Sequence, residues 1–158
     1  MSRAARTEFE RLLREAYDME TRLAGELERM AQRVSDERVK KVLLSHIRIT
    51  VRQQDRLKKV FSHIDKQPRR REAEPVVALV DRFRSMTSDD TPGSDVRAVS
   101  IAMQIEHAEI AYYKTLMALA LAEGLKRSVS QFEKNLGEEE KAAQDLEDLF
   151  GTIGREPS

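Results

Sequence analysis

The sequence predicts an all-α fold, a four-helix bundle in which a long crossover with a short extra helix joins the second main helix to the third. Three observations predict it. The 158 residues are rich in Ala, Leu, Glu, Arg and Lys, with 6 Gly, 4 Pro and no Trp, a mix of helix formers with few breakers. Apolar residues recur at alternating steps of three and four along four long segments, the period of a helix with one buried stripe. The breaks between those segments are short, long and short, so the first and last pairs are antiparallel neighbours and the middle connection can cross the length of the bundle.

The first helix is predicted over about residues 7–34, with Thr7 and Glu10 at capping-box spacing and Ser2 as an earlier possible start. Its seam is Phe9, Leu13, Ala16, Glu20, Leu23, Leu27 and Met30, in which Glu20 is the only charged residue. The pattern breaks at Val34–Glu37, where Ser35 is placed to cap a second helix over 36–65. The inner face of that helix reads Val39, Val42, His46, Ile49, Gln53, Leu57, Val60 and Ile64. A lone histidine on such a face is more often a satisfied core residue than a ligand, so His46 gains weight only from what other helices bring to it. His63, beside Asp65 and Lys66, reads as solvated or as a cation favoured by the helix C-terminus.

Gln67–Pro75 holds two prolines and a charge run and marks a surface connection. Pro75 opens a short helix over 75–87 whose apolar residues, Val76 to Phe83, need a surface to lie on. Ser88–Ser94 reads as a loop with Ser94 capping the third long helix, 95–123. Gly124 stands at the usual C-cap position and a fourth long helix follows over 126–150, with a frayed tail over 151–158. Gly137, inside that last helix, either admits a close neighbour or is tolerated slack. Together these make one domain over 1–158 in the ferritin-like arrangement of four helices with one crossover.

Acids stand in the seams of three helices. Glu106 and Glu109, three residues apart, leave one face of the third helix together with Met103, Tyr113 and Met117. Glu139 lies in the fourth seam as Glu20 does in the first, with Glu140 able to replace it after a small rotation. Clustered carboxylates raise one another's pKa unless a cation neutralises them, and oxygen ligands with an imidazole suit iron or manganese. The candidate metal ligands are therefore Glu20, His46, Glu106, Glu109 and Glu139. Tyr17, Tyr112 and Tyr113 are candidate redox neighbours, although a tyrosine on a seam is more often a packed core residue.

The chain resembles the YciF-type branch of the ferritin-like superfamily, bacterial stress-associated bundle proteins. The resemblance covers about residues 8–150. It is carried by Ala16–Glu20, by His46 with Thr50 and Arg56–Phe61, by Gln104–Tyr113 and by Glu138–Ala143. It implies a ferritin-like bundle that dimerises and has an inter-helix site for two metal ions. The family pattern has a Glu where this chain has Ile49 and often a His where it has Gln53. An Asp expected in the fourth helix falls on Gln144 or, one register over, Asp145. By that comparison the site is incomplete at Ile49, and a metal-free bundle serving as a structural or interaction module is the competing expectation.

Lys+Arg 28 against Asp+Glu 28 gives no net charge, which speaks against a nucleic-acid binder even with Arg69–Arg71 in the connection. The absence of Cys excludes thiolate sites and fits a reducing compartment. No apolar run approaches the ~20 residues that span a bilayer, and Met1–Glu10 lacks the apolar stretch of a signal peptide. The sequence expectation is a cytoplasmic homodimer without membrane or nucleic-acid partners. Enzymatic activity is left open, since oxygen or peroxide chemistry follows only where a bound ion keeps an open coordination position.

Overall fold

The computed structural model describes residues 2–86 and 92–153. The described residues form five helices: α1 (Arg3–Ala31), α2 (Glu37–His63), α3 (Glu74–Arg84), α4 (Pro92–Ala122) and α5 (Lys126–Phe150). The four long ones form the bundle. α1 packs beside α2 and α4, and α5 beside the same two, which leaves α1 and α5 on opposite corners. The start of α2 meets the start of α4, because buried Asp95 accepts from the Ser35 and Asp36 backbone N–H groups at 2.9 and 2.8 Å. Those two helices therefore run parallel, as the long crossover between them requires.

Several local expectations need correction. α1 begins at Arg3 with the Ser2 hydroxyl as its cap, not at Thr7, whose hydroxyl donates to the Arg3 carbonyl inside the first turn. α2 is capped by Asp36, not Ser35, because Asp95 takes both the N–H and the hydroxyl of Ser35. The buried line of α2 passes through Leu43, His46, Thr50, Gln53, Leu57 and Phe61, a small rotation from that expected, which leaves Val42, Ile49 and Ile64 half-buried. α3 ends at Arg84, before residue 87, and α4 starts at Pro92, so Ser94 lies within its first turn and not at its cap. Part of the expected 88–94 loop lies outside the described residues. His63 is not a cation favoured by the helix end: burial lowers its pKa, with Arg127 adding repulsion, and its Nδ1 is 3.1 Å from the Ser128 hydroxyl.

Gly124 has φ +68°, a left-handed conformation that glycine adopts without strain, and it turns α4 into α5 within a few residues. Gly137 admits no close neighbour, since a Cβ there would meet nothing within 4 Å. Within the expected tail, the side chain of Ile153 is buried and its N–H donates to the Leu149 carbonyl. The expected tail over 154–158 lies outside the described residues.

The crossover covers more of α1 than a narrow seam implies. Val76, Val80 and Phe83 of α3 are buried in the core, which is the surface its apolar residues needed. Asp18 is buried and pairs with Arg70 at 2.8 Å and Arg22 at 3.2 Å, while accepting from the Ala73 N–H. Glu15 pairs with Arg71 at 3.3 Å, and Glu26 pairs with Arg84. Two of the three consecutive arginines in the connection thus fasten it to α1. Among the described residues no helix is long and apolar enough to cross a membrane.

Candidate metal centre

Each long helix sends at least one polar side chain to the middle of the bundle. Glu20 comes from α1, His46 from α2, Glu106 and Glu109 from α4, and Glu139 from α5. Glu20, Glu109 and Glu139 are 0 % exposed, and Glu106 and His46 nearly so. Helical periodicity places them there: Ala16 and Leu23 bracket Glu20, Ala102 and Ile105 precede Glu106, and Ala142 and Ala143 follow Glu139, all buried. Alanines one turn away are short side chains that leave space for carboxylates between the helices.

The five residues form two triads. Donor atoms of His46, Glu106 and Glu139 lie within 4.8 Å of one another, as do those of Glu20, Glu109 and Glu139, so Glu139 belongs to both. His46 Nε2 is 3.5 Å from Glu139 Oε2 and 3.8 Å from Glu106 Oε1. The structure thus brings together all five residues singled out by sequence. Between Glu139 and Glu140 it places Glu139 inside, with Glu140 exposed and 3.5 Å from Lys114. Ile49 lies half-buried on the flank of α2, and Gln144 is exposed and bonded to Asp148.

Two neighbours outside that set hold the acids in place. The Tyr113 hydroxyl donates to Glu20 Oε1 and the Gln53 amide donates to Glu139 Oε1. Both are fully buried. Both stand on the faces that helical spacing gave them, each seven residues beyond a site residue, but their bonds to acids on other helices are not legible from spacing. Tyr112 is elsewhere, donating to Glu15, and Tyr17 packs edge-on against Phe61. Among the described residues no arginine forms an ion pair with the cluster: Arg56 pairs with Glu138 and bonds Asn135, and Arg48 and Arg52 are exposed.

The electrostatics of the centre are those of an uncompensated carboxylate nest. Burial pushes Glu20, Glu106 and Glu109 well above the usual carboxylate range, and neighbouring Glu139 adds to each. Glu139 also suffers burial, but the adjacent Glu106 and His46, with the Gln53 amide, outweigh it and hold its pKa below the ordinary value. In the metal-free protein protons therefore favour Glu20, Glu106 and Glu109 over Glu139. Among the described residues seven buried side-chain atoms lack a hydrogen-bond partner. They are Glu20 Oε2, His46 Nε2, Gln53 Oε1, Glu106 Oε2, both oxygens of Glu109 and Glu139 Oε2. At about 1–3 kcal/mol for each unsatisfied group, their combined cost is on the order of 10 kcal/mol, comparable to the whole stability of a domain. Four carboxylates and an imidazole are the donor set that two divalent cations would neutralise and satisfy. An apolar cavity of about 10 Å³, flanked by Leu27, Leu43 and Ile105, reaches His46 and Glu106 and has room for about one water-sized molecule.

Helix order, a single crossover and carboxylates converging between the helices define a ferritin-like four-helix bundle. The family model DUF892, a domain of unknown function, matches residues 4–156. The chain belongs to that family, the YciF-like bundles. It is 26 % identical over 144 residues to Protein YciF of Escherichia coli strain K12, covering 89 % of this chain and 87 % of that protein. The structure of the Escherichia coli stress protein YciF superposes with a TM-score of 0.90 at 24 % identity, covering 97 % of this chain and 98 % of the other. That of YcfI from Rhodopseudomonas palustris gives 0.85 at 28 % identity over 93 % of this chain and 97 % of the other.

Proposed function

We propose that this chain is a stress-associated ferritin-like protein that holds two iron or manganese ions through Glu20, His46, Glu106, Glu109 and Glu139. The observation that carries the proposal is the concentration of partnerless buried atoms in this one cluster. Glu139 spans the two triads, Tyr113 and Gln53 orient Glu20 and Glu139, and the surrounding aliphatic side chains exclude water. Bound there, iron or manganese supplies Lewis acidity and a redox couple for oxygen or peroxide chemistry. Loading displaces the protons on Glu20, Glu106 and Glu109, so ion uptake is coupled to proton release. A homodimer in the cytoplasm completes the proposal: exposed Leu44 and Val51, two turns apart on α2, offer an apolar contact that light scattering can test. The chain is expressed in medium supplemented with iron and manganese, and its metal content is measured by elemental mass spectrometry. About two ions per chain is the expected result, and fewer than a tenth of an ion overturns the proposal.

A second reading, a metal-free bundle acting as a structural or interaction module, is favoured by Ile49 and by Gln53, which place an apolar and a neutral residue where the resemblance expects ligands. YcfI, for which a structural role has been suggested, is similar to this chain. Ile49→Glu separates the two readings. Metal binding that appears only in that variant identifies the parent as the metal-free module.

A further inference from the structure

The two triads around Glu139 differ chemically, and Gln53 stands where they differ. Glu139 turns Oε2 toward His46 at 3.5 Å, while its Oε1 accepts from the Gln53 amide. One triad therefore contains an imidazole, and the other, Glu20, Glu109 and Glu139, offers oxygen alone. Gln53 is 0 % exposed, and its own Oε1 has no partner. Thr50, the other fully buried polar side chain on that face of α2, gives its hydroxyl proton to the His46 carbonyl and so leaves this amide oxygen unserved. A cation would satisfy the oxygen, and the neutral amide would add no further negative charge to an already acidic cluster. On the far side, Tyr113 occupies Glu20 Oε1 and leaves Glu20 Oε2 as the atom without a partner.

Imidazole favours ions such as Fe²⁺, Co²⁺ and Zn²⁺, whereas carboxylate and carbonyl oxygens suit Mn²⁺ and Mg²⁺. We propose that the centre has two unequal positions. One is built from His46, Glu106 and Glu139 for a borderline transition ion. The other is an all-oxygen position built from Glu20, Glu109, Glu139 and the amide oxygen of Gln53, for a hard divalent ion. This rests on the reading that the cluster binds cations at all, and it assigns Gln53 as a ligand where its sequence position suggests a lost one.

The test uses the full-length chain stripped of metal and titrated with Co²⁺ and then Mn²⁺. The first equivalent of Co²⁺ is expected to shift an exchangeable proton resonance of the His46 ring N–H. One equivalent of Mn²⁺ should then still bind, seen as loss of the free Mn²⁺ electron paramagnetic resonance signal. Gln53→Leu should weaken the Mn²⁺ step by about 10–100-fold and leave the Co²⁺ step within about threefold, and His46→Ala should do the reverse. Mn²⁺ affinity unmoved by Gln53→Leu, or both steps weakened alike, overturns the proposal. So does competition between Mn²⁺ and the first equivalent of Co²⁺ in the unaltered chain, an arm that needs no variant to fold. Binding of neither ion by the unaltered chain instead overturns the metal-binding reading itself.

Discussion

Glu109 has both carboxylate oxygens buried without a partner, and burial, then Glu139, Glu20 and Glu106, push its pKa well above the ordinary 4.5. A carboxyl raised in the folded state contributes stability below its unfolded pKa and loses it as pH rises toward the folded value, because the unfolded chain gives up a proton that the folded chain retains. Metal-free protein should therefore lose stability between pH 5 and pH 7, by up to about 1.4 kcal/mol per pH unit for each proton kept. Glu109→Gln, neutral and of the same shape, is expected to be more stable than the parent at pH 7 and to show a shallower slope. Urea denaturation across that pH range checks both. Tyr113→Phe removes one hydroxyl and leaves Glu20 Oε1 without its donor, so the metal-free protein should lose about 1–3 kcal/mol in the same measurement. The acids were legible one at a time, as charged interruptions of apolar seams. Their shared use of Glu139 was not, because sequence periodicity fixes the face of a helix but not the height at which faces meet.

At the scale of elements, the long helices follow from their period, and the ends follow from caps that compete with distant partners. Ser35 is a good local cap, yet buried Asp95, 60 residues away, takes its N–H and hydroxyl and leaves Asp36 to cap α2. Local spacing cannot register such a competitor. The same holds for the crossover, whose arginines looked like a solvated run until Asp18 and Glu15 of α1 were placed beneath Arg70 and Arg71. Asp18→Ala strands the buried N–H of Ala73 and removes the anchor of Arg70. A loss of about 1.5–3 kcal/mol is expected, together with faster tryptic cleavage after Arg69–Arg71 as the crossover lifts from α1. Unchanged cleavage would mean that the crossover is held without Asp18, by Val76, Val80 and Phe83 and the Glu15–Arg71 and Glu26–Arg84 pairs.

At the scale of the molecule, the four-helix bundle and its crossover were legible because helix period and connection length leave few topologies for a chain this long. What joins the scales is charge: a bundle that buries four glutamates at its centre is strained by them unless protons or cations are present. Ions that bind the folded chain alone should raise its thermal midpoint, and the increase should shrink in Glu139→Gln, which removes the carboxylate common to both triads. The most direct test is anomalous diffraction at the iron and manganese edges from crystals of metal-loaded protein. The account predicts two peaks, one among His46, Glu106 and Glu139 and one among Glu20, Glu109 and Glu139. Metal-soaked crystals with no peak inside this cluster would contradict it.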